Sequence, residues 1–213
     1  MAAKPKGGKT AREAGATVRA ATWADAEPLS QTLARAFLDD PLMCFILRDE
    51  ATREAKLPRL FKLLFKLGLP HGGCDVTEGF ESAALWRPPH HWEIPFYQYI
   101  TNGAEFLNLF GFGGARHVTS VMDYIEKRHP HEPHWYLQVL GTDPAKQGMG
   151  FGGVSIRRHL AIADAAGMPC YLESSKASNI PIYSSFGFEV TGELIPPGGP
   201  TLYPMWRKAR TPT

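Results

Sequence analysis

The chain predicts a mixed α/β (α+β) fold, with one twisted central sheet of six to seven strands flanked by helices. Three observations predict it. Seven short runs rich in β-branched and aromatic residues are interspersed with helical patterns. The runs before and after residues 150–167 are joined by a helix, so they should lie parallel. The runs flanking Glu78-Gly79, and those flanking Pro196–Pro200, are joined by turns and should pair as hairpins.

Each element follows from its residues. Thr17 to Ala21 reads as the first strand. Thr22 is an N-cap, with Asp25 three residues on, and the helix after it buries Leu29, Leu33 and Phe37 at four-residue spacing. Asp39-Asp40-Pro41 ends that helix, because the residue before a proline avoids helical angles. The next helix runs from Asp49 to Leu67. Arg59, Lys62 and Lys66 share one face, and Leu57, Leu60, Phe61 and Leu64 the other. A basic amphipathic helix can lie on a membrane, but packing on the sheet is the simpler expectation.

Two strands follow, Cys74–Thr77 and Ser82–Arg87, and Pro88-Pro89 stops the second. Trp92 to Arg128 is helical in pattern and the most aromatic part of the chain, with Gly111, Gly113 and Gly114 expected to interrupt it. Trp135 to Leu140 is a strand. After the glycines at 148–153, Ile156, Leu160 and Ala163 form a stripe that packs a helix on the sheet. Gly167 and Pro169 end that helix. Cys170–Ser174 is a strand and Asn179 to Phe186 a short helix. Phe188–Leu194 and Leu202–Arg207 close the chain as a hairpin.

Composition narrows the class. With 213 residues, 44% of them hydrophobic, residues 17–209 make one domain with a core of ordinary size. Residues 1–16, with Lys4, Lys6, Lys9 and Arg12, are expected to form a flexible basic tail. A net charge of +2 gives no reason to expect nucleic acid or an anionic membrane as partner. Cys44, Cys74 and Cys170 stand far apart without a CxxC pair, which fits a reducing compartment. No signal peptide or membrane-spanning run is seen, so the expected location is cytoplasmic. His129-x-His131-x-x-His134 and His90-His91 offer imidazoles, but Pro130 and Pro133 break the first group and helical spacing is lacking, so no metal site is expected.

The stretch with most chemistry is Gln147-Gly148-Met149-Gly150-Phe151-Gly152, between a strand and a helix. Glycines let a main chain approach a ligand closely, and the free N–H groups of a helix start favour an anion. A nucleotide-phosphate loop is excluded, since no Gly-Lys-Ser/Thr follows. Gly148, Gly150 and Gly153 also read as a dinucleotide fingerprint, with Glu173 twenty residues on. Against a nicotinamide-dependent oxidoreductase, Thr142 to Gln147 separate the strand from the first glycine. Only about sixty residues remain for the rest of a doubly wound sheet.

Gln147-x-x-Gly150-x-Gly152 resembles the Q/R-x-x-G-x-G/A signature of the GNAT N-acetyltransferases. Leu172 to Val190, with Asn179, Tyr183 and Gly187-Phe188, is similar to the second half of that family. His134-Trp135-Tyr136-Leu137 and Gly198-Gly199-Pro200 are in the style of the puromycin N-acetyltransferase type. The resemblance covers residues 134–207 well and the first hundred loosely. It implies a GNAT fold in which Trp92–Arg128 is an inserted helical segment. It also implies acetyl transfer from acetyl-CoA to a primary amine of a small molecule, by direct attack and without metal. Under it the two parallel strands splay apart around the pantetheine arm. The backbone of Leu140 and Thr142 holds the arm, Gln147, Gly148, Met149, Gly150, Phe151 and Gly152 take the pyrophosphate, and Asn179 reaches from the far side. Tyr183 matches the family's general acid and also borders the cosubstrate. Glu173 matches a glutamate that serves some members as base. Asp39, Asp40, Trp86 and His90 are candidates for the acceptor pocket. A non-catalytic acetyl-CoA sensor of the same fold remains the alternative. The oligomeric state is left open.

Overall fold

The structure, a computed structural model, describes residues 10–11, 15–93 and 101–210. The strands are β1 (Val18–Ala20), β2 (Cys74–Thr77), β3 (Ser82–Arg87), β4 (Trp135–Thr142), β5 (Cys170–Ser174), β6 (Glu189–Val190) and β7 (Tyr203–Arg207). They form one sheet in the order β1-β2-β3-β4-β5-β7-β6. Only the β4–β5 pair is parallel, as the intervening helix requires. The helices are α1 (Ala26–Ala36), α2 (Pro41–Ile46), α3 (Glu50–Gly68), α4 (Gly103–Glu126), α5 (Phe151–Ala165) and α6 (Ile180–Ser184).

The local chemistry sets the boundaries. A Thr22/Asp25 capping box closes a single 3-10 turn, Trp23–Asp25, and α1 starts one residue later. Helix α2 is not among the expected elements. Its N-terminal signal is nevertheless present: the Asp40 carboxylate accepts from the N–H groups of Leu42 (3.0 Å) and Met43 (3.1 Å), and Pro41 opens the helix. Helix α4 is broken at Gly111, whose φ is 65°, while Gly113 and Gly114 remain helical. The expected helix from Trp92 falls partly on residues 94–100, outside the described residues. The last hairpin is shorter than expected. Beyond Val190 it keeps one bridge, Leu194 to Leu202, because Pro196, Pro197 and Pro200 cannot donate to a ladder.

The sheet separates two cores. On one face α1, α3 and α4 bury Leu29, Leu33, Leu57, Phe61, Phe65, Leu109 and Val121 over Val76, Ala83, Leu85 and Val139. On the other α5 buries Ile156, Leu160 and Ala163 over Ala84, Trp86, Leu137 and Leu172. Leu137 and Val139, two apart on β4, lie in different cores. A bulge explains this: Leu85 pairs with Val139 and Trp86 with Leu137, which leaves Gln138 as an extra residue. No described helix is long and apolar enough to cross a membrane. The basic helix α3 is packed into the first core.

Candidate active site

Strands β4 and β5 pair at only two positions, Trp135 with Cys170 and Tyr136 with Tyr171. Beyond them β4 stays bonded to β3 as far as Thr142, and β5 to β7 as far as Ser174. A notch therefore opens between the parallel strands, bordered by unpaired strand edge.

The glycine stretch lies at the end of the notch. Asp143 caps a 3-10 turn by accepting from the Ala145 N–H (2.9 Å) and is tied to α1 through Arg35 (2.7 Å). Gln147 donates through Nε2 to the Thr142 carbonyl at 3.2 Å. Gly148 (φ 76°) and Gly150 (φ 91°) are left-handed, and Gly150 is the N-cap of α5. A Cβ on Gly152 would stand 2.9 Å from Thr142 Oγ1. The free first-turn N–H groups of α5 and its dipole make this end suited to an anion. Met149 and Phe151 turn their side chains into a small buried cluster with Ala11, so only their main chain faces outward. Ala11, inside the stretch expected to be a tail, donates its N–H to the Met149 carbonyl at 2.8 Å.

Tyr183 lies on α6. It is half-buried, packed in the second core with its ring 6.2 Å from Phe188. Burial, with a smaller contribution from the Asp40 charge, pushes its phenol up to about 12. Asn179 precedes α6 and is partly exposed.

Glu173 lies two residues beyond Tyr171, the last residue of β5 paired with β4, and so borders the notch. Its Oε1 lies 3.4 Å from Nδ1 of His129, with side-chain exposures of 7% and 2%. His129 Nε2 is 3.0 Å from His134 Nε2, and His134 Nδ1 is 2.6 Å from the Glu132 carbonyl. Tyr136 and Tyr171 sit edge-on to His129, both at 4.7 Å, and Trp92 stacks on it at 4.0 Å. Burial, then the Glu173 charge, pushes both phenols upward. Burial pushes His134 downward. The proline-broken histidine pattern thus brings two of its three imidazoles together, while His131 is exposed. Among the described residues no group of three His, Cys, Asp or Glu side chains is placed to hold a metal ion.

The four acceptor-pocket candidates do not converge. Asp40 is buried and takes the Ser175 hydroxyl besides capping α2. Asp39 is exposed and pairs with Lys176 at 2.8 Å, which holds its carboxyl below the usual range. Together they fasten the α1–α2 junction to the end of β5. Trp86 is fully buried and stacked on His159 at 4.7 Å. The expectation that it lines a pocket is corrected: the strand alternation turns it onto the α5 face. His90 is exposed at φ 67°. It lies beyond the Arg87 end of β3, which pairs with the start of β4, and so at the opposite end of the sheet from Asp40.

No family model matches the chain. An uncharacterized N-acetyltransferase of Schizosaccharomyces pombe is 28% identical over 176 residues, covering 77% of this chain and 70% of the relative. A solved structure described as histone acetyltransferase HPA2 and related acetyltransferase, from Corynebacterium glutamicum, superposes with a TM-score of 0.71 at 25% identity, over 93% of this chain and 98% of that one. The polyamine N-acetyltransferase of Drosophila melanogaster shares the fold at a TM-score of 0.61 and 16% identity, over 91% and 99% of the two chains. The seven-stranded, mostly antiparallel open sheet with its flanking helices matches the fold of the GNAT acetyltransferases. The chain is an N-acetyltransferase of this fold.

Proposed function

We propose that the protein transfers the acetyl group of acetyl-CoA to a primary amine of a small molecule by direct attack. The observation that carries this reading is the notch between β4 and β5, closed at one end by left-handed glycines and flanked by Tyr183. The main chain of Leu140 and Thr142 offers an unpaired edge for the amides of the pantetheine arm. Residues 147–152 receive the pyrophosphate, Gln147 through its place beside Thr142 and the glycines through bare main chain. Asn179 closes the arm from the α6 side.

The reaction needs an amine lone pair, donors for the developing oxyanion and a proton for the leaving thiolate. Tyr183 provides that proton. Burial keeps it a phenol throughout the working range. The same burial raises the proton affinity of a thiolate formed beside it. Glu173 takes the proton that the amine gives up. Polyamine and arylalkylamine acetyltransferases are among the proteins of like fold, which supports an amine acceptor. The aromatic rings of α4 favour an apolar body on that amine.

The test is thiol release from acetyl-CoA with aromatic amines, polyamines and lysine peptides at equal concentration. Preferred turnover of a small amine is expected. Efficient acetylation of peptides alone overturns the small-molecule reading. Tight acetyl-CoA binding with no turnover on any amine favours the sensor.

A further inference from the structure

His129, which contacts Glu173, and His134 behind it have fixed hydrogen-bonding roles. A carbonyl only accepts, so His134 Nδ1, 2.6 Å from the Glu132 carbonyl, carries a proton. Burial favours the neutral ring of His134, which leaves its Nε2 bare. His129 Nε2, 3.0 Å away, must then donate to it. A neutral His129 therefore turns the lone pair of Nδ1 toward Oε1 of Glu173. Between a lone pair and a carboxylate oxygen there is a place for one proton.

We propose that Glu173 and His129 act as one base: the proton released by the acceptor amine passes to the Glu173 carboxylate and is shared with Nδ1 of His129. The inference rests on the reading of Glu173 as base and deepens it. In the step, an N–H bond of the acceptor's ammonium breaks and its electron pair stays on nitrogen, which attacks the thioester carbon; the carbonyl π pair moves to oxygen and returns as the C–S bond breaks, and Tyr183 protonates the leaving thiolate. The proton binds a Glu173 oxygen and moves toward His129, leaving the imidazole cationic and the carboxylate charged. The path stops there, because His134 ends on a carbonyl that cannot pass a proton on. The pair discharges to solvent through Glu173, the more exposed partner. His129 touches no reacting atom and acts through Glu173, so it is a positioning residue.

The groups around His129 suit a held charge. Tyr171 and Glu173 face it from β5, Tyr136 from β4, His134 from just before β4, and the ring of Trp92 covers it. Glu126, at the end of α4, lies near enough for a charged His129 to favour its ionised form, against burial and the charges of Glu93 and Asp123. Arg87 acts on Tyr136. A stacked indole and two phenols stabilise an imidazolium that water hardly reaches.

The test combines kinetics with ring-nitrogen NMR on the full chain. His129→Gln is expected to lower kcat by roughly 10- to 100-fold with the KM for acetyl-CoA unchanged, and to move the acidic midpoint of the pH–rate profile. Added to Glu173→Gln it should cause little further loss, as for residues acting as a unit. In the unliganded protein the His129 ring should titrate with a midpoint that Glu173→Gln displaces, while His134 keeps its Nδ1 proton throughout. An unmoved acidic midpoint in His129→Gln, or a His129 titration indifferent to Glu173→Gln, overturns the shared base. If Glu173→Gln removes the acidic limb and His129→Gln does not, the single-carboxylate reading stands and the pair fails. Should His129→Gln not fold, or no amine turn over, the NMR comparison with Glu173→Gln decides alone.

Discussion

In the proposed reaction Tyr183 and Glu173 divide the proton work because their surroundings differ. Tyr183 packs among apolar side chains, and burial keeps its proton in place up to about 12. Glu173 lies among His129, Tyr136 and Tyr171, groups that can share a proton with it. Tyr183→Phe should lower kcat by roughly 10² while leaving acetyl-CoA binding nearly unchanged. Since the phenol titrates only near 12, any fall in rate at clearly lower alkaline pH should persist in the variant. Steady-state kinetics across pH, under conditions where chemistry limits turnover, checks both statements. An unchanged kcat assigns Tyr183 to packing.

At the scale of elements, the cradle and the α5 anchorage are separable. Gly150 is left-handed as the N-cap of α5, and among the described residues the atom within 4 Å of its missing Cβ is Ala11 Cβ at 3.8 Å. A side chain there is therefore disfavoured by the backbone angle rather than by crowding. Gly150→Val should abolish most of the stabilisation by acetyl-CoA, about 2.7 kcal/mol at a hundredfold excess over Kd for the parent. Thermal shift with and without acetyl-CoA reads this directly. Equal shifts for parent and variant sink the cradle assignment. The other end of α5 is tied down by Asp164, which accepts two hydrogen bonds from Arg207 of β7, at 2.6 and 2.7 Å. The Arg207 guanidinium holds the Asp164 carboxyl below the usual range, against an opposing effect of burial. Because its folded pKa is lowered, this contribution is complete above the unfolded carboxylate value of about 4 and is lost as pH falls through the folded value. Asp164→Asn should cost about 2 kcal/mol at neutral pH, less than a fully buried pair because Asp164 is partly exposed, and the difference should vanish in acid. Denaturant unfolding of both proteins at several pH values is the measurement.

Across the whole molecule, the largest buried side chain of the second core stands apart from the proposed acceptor pocket. Trp86 lies between β3 and α5, stacked on His159, whose Nδ1 is 3.1 Å from the buried Asp75 carboxylate. Trp86→Ala should therefore lower stability by about 3–5 kcal/mol. At a temperature where the variant is folded, its KM for the amine should stay close to that of the parent. Equilibrium unfolding and steady-state kinetics separate the two effects. A raised KM with unchanged stability would return Trp86 to the acceptor pocket.

Much of this architecture is local and was legible in the sequence. Strands β2, β3 and β5 have the expected bounds, because alternation and bounding turns are properties of a few neighbouring residues. The glycine turn ahead of α5 was legible for the same reason: left-handed angles at Gly148 and Gly150 select glycine directly. Helix α2 carried a readable Asp-Pro signal, but its six residues show too little periodicity to stand out. The bulge at Gln138, the burial of Trp86 and the meeting of His129, His134 and Glu173 had no local signature. Each depends on which face a strand presents and on what packs there from distant parts of the chain. Asp40 shows the division within one residue. Its role as a helix cap is written in Asp40-Pro41, while its bond to Ser175, 135 residues away, exists only because the sheet brings β5 beside α2. The sequence by itself determined most of the strands and helices and the glycine turn ahead of α5, since these follow from backbone preference and periodicity. Tertiary structure alone decided which carboxylate meets an imidazole and which meets a distant hydroxyl, because burial and contact are set by the assembled sheet.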